Sequence, residues 1–209
     1  MDNEKDETLK KLSILIEQYN NYKREGKTDN SSEETVRNWI DDLLYIFGWD
    51  VKNTFEVIQS KKLSQNEIEK LQGINSSHDF PDYTLKQGRR ILSFIDAKAF
   101  SVKLNKFKKG AFQIRSYGWS ADLPCAILTN FEELCIYDCR HTPEINQSAN
   151  FARAYYFTIN DYLSNFDTLY DHLNRKQVTN GKLESIYSKD KATKGLEPLD
   201  ALFSWPIQI

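Results

Sequence analysis

The sequence predicts a mixed α/β sandwich, a central sheet flanked by helices, and three observations predict it. Two N-terminal segments carry apolar residues at helical spacing, the middle of the chain alternates like strands around short turns, and a further helical segment interrupts those strands. With 209 residues, 40% of them hydrophobic, the chain is long enough for one well-buried unit plus an appendage.

Residues 5 to 24 place Leu9, Leu12, Leu15, Ile16, Tyr19 and Tyr22 on one helical face, and the polar stretch REGKTDNSS after them reads as a loop. SSEETVRNWIDDLLYIFGWD then sets Val36, Ile40, Leu43, Leu44 and Phe47 on one face. This helix starts at a serine, with Ser31 and Glu34 at capping-box spacing, and stops at Gly48. From residue 51 the pattern turns to β-rich runs: VKNTFEVI, then PDYTLKQGRRILSFIDAKAF, whose two apolar stretches flank Gly88 as a hairpin. After a basic loop, FQIRSYGWSA reads as a helix, and PCAILTN and ELCIYDC read as two strands around the turn FEE. Residues 141 to 160 read as a connector into a last helical segment, DYLSNFDTLYDHLN, and the tail from 176 is polar and weakly patterned. The expected organisation is one domain over 1–145 and a C-terminal helical connector over 146–209, without internal repeats.

A formal net charge of -2 excludes a globally basic nucleic-acid binder, so any DNA contact must come from local clustering. The three cysteines, Cys125, Cys135 and Cys139, lack the spacing of a zinc site and read as small core residues. With no secretory apolar segment and no run long enough to cross a bilayer, the expectation is a reduced, cytoplasmic protein without membrane contact.

Asp96 and Lys98 lie two residues apart in a strand, so a carboxylate and an ammonium leave the same face while Ala97 points the other way. Asp82, just after Pro81, stands at the outer end of the paired hairpin strand, where its carboxylate can approach that of Asp96. Two converging carboxylates make a hard oxygen site suited to Mg²⁺, with Mn²⁺ as a substitute. Such an ion generates a nucleophilic water and offsets charge on a phosphate, and an adjacent lysine can orient that water: together these are the needs of phosphodiester hydrolysis. The plainer reading of the same residues is a turn aspartate and a local ion pair. Between residues 97 and 121 lie six cations and no acid: Lys98, Lys103, Lys106, Lys108, Lys109 and Arg115. That is a local footprint for phosphate binding, or else a solvated lysine loop. Gln113 and Tyr117, four apart, share a helix face and could hold a DNA phosphate or the attacking water, or be ordinary helix-surface residues.

PDYTLKQGRRILSFIDAK resembles the PD-(D/E)xK nuclease motif, and SSEETVRNWIDDLLYIFGWDV resembles the helix before it in N-terminal domains of type IIG restriction-modification enzymes and related type I restriction subunits. FQIRSYGWSADLPCAILTNFEELCIYD is similar to the same family's QxxxY helix and following strand, and FTINDYLSNFDTLYDHLN and KGLEPLDALF resemble the stretch after the nuclease. The likeness covers roughly residues 31 to 203. It implies a restriction-endonuclease-like core, Asp82 and Asp96 as metal ligands, Lys98 as the catalytic lysine, and Gln113 and Tyr117 as active-site support. The family also places a glutamate near the start of the preceding helix. Glu33 and Glu34 compete for that place; counting four back from Arg37 favours Glu33 on the metal side.

The chain departs from the family in carrying aspartate where the second acid is often glutamate. It also has neither an NPPY-like motif nor a glycine-rich cofactor loop, although such enzymes continue into an adenine methyltransferase and a target-recognition domain. The expectation is therefore part of a longer enzyme or one product of a split gene, its specificity on domains in cis or in trans and its substrate double-stranded DNA. The competing expectation is a catalytically silent nuclease-fold module for DNA binding or docking.

Overall fold

The two N-terminal helices form where the spacing predicts them. A computed structural model of the chain describes residues 3–29, 31–60 and 80–188. Helix α1 spans Asn3–Arg24 and buries Leu12, Leu15, Ile16 and Tyr19; helix α2 spans Glu33–Ile46 and buries Val36, Ile40, Leu43 and Leu44. The cap of α2 lies one residue later than the expected box: Ser32 is the N-cap and accepts from the Thr35 N–H, while the Ser31 hydroxyl turns back to the Lys27 carbonyl. At its other end Gly48 takes φ 90°, a left-handed conformation that glycine adopts without Cβ strain. The Trp49 indole then donates to the Leu173 carbonyl at 2.7 Å and ties this end to the C-terminal helices.

The described strands run in chain order across a six-stranded sheet: β1 (Val57–Gln59), β2 (Tyr83–Gln87), β3 (Arg90–Ala97), β4 (Cys125–Thr129), β5 (Glu133–Asp138) and β6 (Arg153–Thr158). All neighbours are antiparallel except β3 and β4. A parallel pair needs a crossover, and helix α3 (Lys108–Ser120) supplies it. The expected hairpin around Gly88 is β2 and β3, with a register slip between Leu85 and Lys86. Strand β6 occupies part of the stretch read as a connector and pairs with β5 along five positions. Helices α4 (Phe166–Leu173), α5 (Arg175–Thr179) and α6 (Lys182–Tyr187) follow. The last two lie almost wholly in the tail read as weakly patterned; KGLEPLDALF lies outside the described residues.

The sheet separates two apolar clusters. On one face Leu92, Ile95, Ala97, Ile127 and Ile136 meet α1, α2 and the C-terminal helices. On the other, Phe94, Leu128, Cys135 and Tyr137 meet Ala111, Ile114 and Tyr117 of α3. The three cysteines are free and buried, and burial raises each thiol pKa, the behaviour of core residues. Helix α3 sits close to the sheet through Gly118, where an added Cβ would stand 2.3 Å from Cys139 Sγ. Among the described residues no helix is long and apolar enough to cross a membrane.

Candidate active site

Asp82 enters the sheet immediately before β2, and the β2–β3 register decides what it faces. Tyr83 is paired with Ile95, so the same register carried one step outward sets Asp82 opposite Asp96. Residues directly opposite on antiparallel strands share a face, with Cβ atoms about 4.5–5.5 Å apart. The Asp82 carboxylate is held at both oxygens: Oδ2 accepts the Ala97 N–H at 2.7 Å, and Oδ1 pairs with Arg37 Nη2.

Asp96 is 3% exposed, near the end of β3. Its neighbour on β4, in parallel register, is Leu128. Lys98 lies one residue beyond β3, its N–H bonded to the Thr129 carbonyl at 3.0 Å, and its Nζ lies 2.5 Å from Asp96 Oδ2. Asp96 Oδ2 thus has the Lys98 ammonium as its counter-ion. Burial pushes the Asp96 carboxyl up to about 6; Lys98 opposes the rise and the Asp82 charge adds to it.

A divalent ion fits these residues. Two carboxylates meet, and the buried one, Asp96, has Lys98 against it and feels the Asp82 charge, so the pair offers hard oxygen donors to a cation. Among the described residues no three His, Cys, Asp or Glu side chains gather as a ready metal cage. A two-carboxylate set completed by water and substrate phosphate is the usual manner of binding Mg²⁺.

The structure brings Asp82, Asp96 and Lys98 together and sets Glu33 one step away. The Glu33 carboxylate is engaged by Arg37 Nη2 at 2.6 Å, and the same nitrogen reaches Asp82, so Glu33 connects to the acidic pair through an arginine. Glu34 is exposed. Gln113 donates its amide to the Tyr117 hydroxyl at 2.8 Å. The Tyr117 ring packs edge-on against Phe94, which is two residues before Asp96 and on the same side of β3, so this pair belongs to the face that carries the carboxylates.

Lys103, Lys106, Lys108 and Lys109 are exposed in the loop and first turn that follow Lys98. Arg115, grouped with them from sequence, is placed elsewhere: it is fully buried. Its Nε donates to the Ala111 carbonyl, Nη1 to Gln147, and the guanidinium lies over the Phe151 ring, so it packs helix α3 and offers nothing to a phosphate at the surface.

Three residues of the site were not singled out from sequence. Arg37 was only a counting mark, although its spacing of four from Glu33 on a helix is that of an ion pair. Asn130 Nδ2 donates to the Val102 carbonyl at 2.9 Å, and Glu133 Oε2 accepts the Leu104 N–H at 2.6 Å, so the β4–β5 turn anchors the lysine loop. An asparagine between two strand patterns was a signal for a turn, not for the loop it would hold.

The chain is similar to the type II restriction enzyme and methyltransferase RM.Eco57I of Escherichia coli, with 27% identity over 185 residues. The alignment covers 85% of this chain and 18% of that protein, so the chain spans less than a fifth of its relative's length. No family model matches the chain, and no solved structure matches it. The likeness supports a relationship to restriction enzymes, laid on an α/β architecture with a mixed six-stranded sheet between helices.

Proposed function

We propose that the chain is a Mg²⁺-dependent DNA endonuclease module with a PD-(D/E)xK core, working as part of a type IIG-like restriction-modification enzyme. The observation that carries this reading is the meeting of Asp82 and Asp96 across β2 and β3, with Lys98 against the buried carboxylate. Mg²⁺, or Mn²⁺ in its place, would supply a water of lowered pKa and offset the charge that develops on the phosphate. Asp82 and Asp96 would hold the ion. Lys98, tethered through its own N–H to β4, is positioned to orient the attacking water and to balance the pentavalent phosphorane. The Gln113–Tyr117 pair supports the same face and offers hydrogen bonds to a phosphate or to that water.

The exposed Lys103, Lys106, Lys108 and Lys109 would follow the DNA backbone on one side of the site. The name of the relative joins restriction to methylation, which supports double-stranded DNA as the substrate. It also supports methyltransferase and target-recognition domains, in cis or in trans, as the source of sequence specificity. The compartment of that substrate is the cytoplasm.

The test is conversion of supercoiled plasmid to nicked and linear forms by the purified chain with Mg²⁺ or Mn²⁺. Wild type is expected to nick, while Asp96→Asn and Lys98→Met lose at least a hundredfold of that rate, the scale of removing one electrostatic or proton-handling group. Nicking that persists in Asp96→Asn would sink the assignment.

A further inference from the structure

Arg37 carries a charge to which the endonuclease reading gives no task. Its side chain is 20% exposed, and a single nitrogen, Nη2, serves both the Glu33 and Asp82 carboxylates. Its Nε is buried without a hydrogen-bond partner. A guanidinium built as a structural clamp presents two parallel N–H groups to one carboxylate. Here the fork is not used in that way; the cation is simply placed where two carboxylates can share it.

The position bears on metal binding because Asp82 has no unengaged oxygen. An ion approaching Asp82 must share or displace either the Ala97 N–H, fixed in the backbone beside β2, or the arginine. A side chain moves more readily than a strand. A depression lined by Asn38, Asp41, Gln59 and Tyr83 opens beside Arg37, and Asp41, one helical turn further along α2, offers the guanidinium another carboxylate.

We propose that Arg37 is a resident counter-cation that competes with the divalent ion for Asp82, and so sets the metal concentration at which the site loads. Glu33 then acts by drawing the guanidinium toward itself, as a positioning residue and not as a ligand. The inference rests on the metal-site reading of Asp82 and Asp96. It differs from a purely structural role in the sign of its effect: removing a competitor tightens metal binding, whereas removing a residue that merely shapes Asp82 weakens it.

The experiment is Mn²⁺ binding to the whole purified chain without DNA, followed by the electron paramagnetic resonance of the free ion at fixed ionic strength. Arg37→Gln and Arg37→Met are expected to lower the dissociation constant roughly tenfold, as loss of a partly screened charge a few ångströms from the site implies. Arg37→Lys, which keeps the charge, stays near wild type. Unchanged or weaker binding in folded neutral variants overturns the proposal. Wild type binding no more Mn²⁺ than Asp96→Asn overturns the metal-site reading, and the proposal with it. Glu33→Gln is expected to weaken binding in the wild-type background, where Arg37 then falls wholly to Asp82, and to change nothing beside Arg37→Gln. A loss that persists in the double variant makes Glu33 a ligand and overturns its positioning role.

Discussion

Asp82 does two things with one carboxylate, and they can be separated. Through Oδ2 it accepts the Ala97 N–H and fixes the outer end of β2 against β3; through its charge it pairs with Arg37 and, in the proposed function, would hold the ion. Truncation to alanine removes an acceptor from a buried backbone donor, which costs about 1–3 kcal/mol. Asparagine keeps a carbonyl oxygen in that place. Asp82→Ala is therefore expected to lose both cleavage and several degrees of thermal midpoint, and Asp82→Asn to lose cleavage with most of its stability intact. Calorimetry beside the plasmid assay checks this, and equal midpoints for the two variants would mean that the Ala97 contact contributes little. The sequence motif showed which chemistry this carboxylate can do and not which backbone group it also holds.

At the scale of elements, legibility followed the strength of the local pattern. Helix α2 was read from five apolar positions and a glycine stop, and the β2–β3 hairpin from alternation about Gly88, so the placement of Asp82 near Asp96 and Lys98 was legible with it. Strand β6 was not: RAYYFT is half-exposed and follows a loop, and it becomes a strand through pairing with β5, a long-range contact that no local period encodes. Arg115 was misplaced for a related reason. A cation in a basic run is read as surface, and only the fold shows that Ala111, Gln147 and Phe151 enclose it. The C-terminal helices carry a prediction of their own, through His172 of α4. It is 1% exposed; Nδ1 donates to the Thr168 carbonyl at 2.7 Å, which leaves Nε2 to accept from the Tyr187 hydroxyl of α6. Burial lowers its pKa from the usual 6.5, so the folded state keeps the ring neutral where the unfolded chain takes up a proton. The stability this represents is complete above about pH 6.5 and is lost as pH falls toward the depressed folded value, at up to about 1.4 kcal/mol per unit. Between pH 7 and 5 the thermal midpoint of wild type is expected to fall more steeply than that of His172→Gln. Parallel curves would place the linked proton elsewhere.

For the whole molecule the informative quantity is the contrast between overall and local charge. A chain of net charge -2 repels DNA weakly as a body, yet four exposed lysines, Lys103, Lys106, Lys108 and Lys109, follow Lys98 within eleven residues, on a loop anchored by Asn130 and Glu133 and on the first turn of α3. If those lysines neutralise phosphates, binding releases condensed counter-ions, and the logarithm of the association constant falls linearly with the logarithm of salt concentration by about 0.9 per contact. Four contacts predict a slope of about -3.6, and Lys108→Gln with Lys109→Gln should reduce its magnitude by about 1.8 while weakening binding alike on any sequence. Fluorescence anisotropy of a labelled duplex, titrated in metal-free buffer across a range of salt, measures both slopes. A slope unchanged by the double substitution would take the DNA off this loop and leave the acidic pair without its electrostatic approach. A slope reduced as expected would align the path of the backbone with Lys98, and would bring a phosphate to the carboxylates as the proposed function requires.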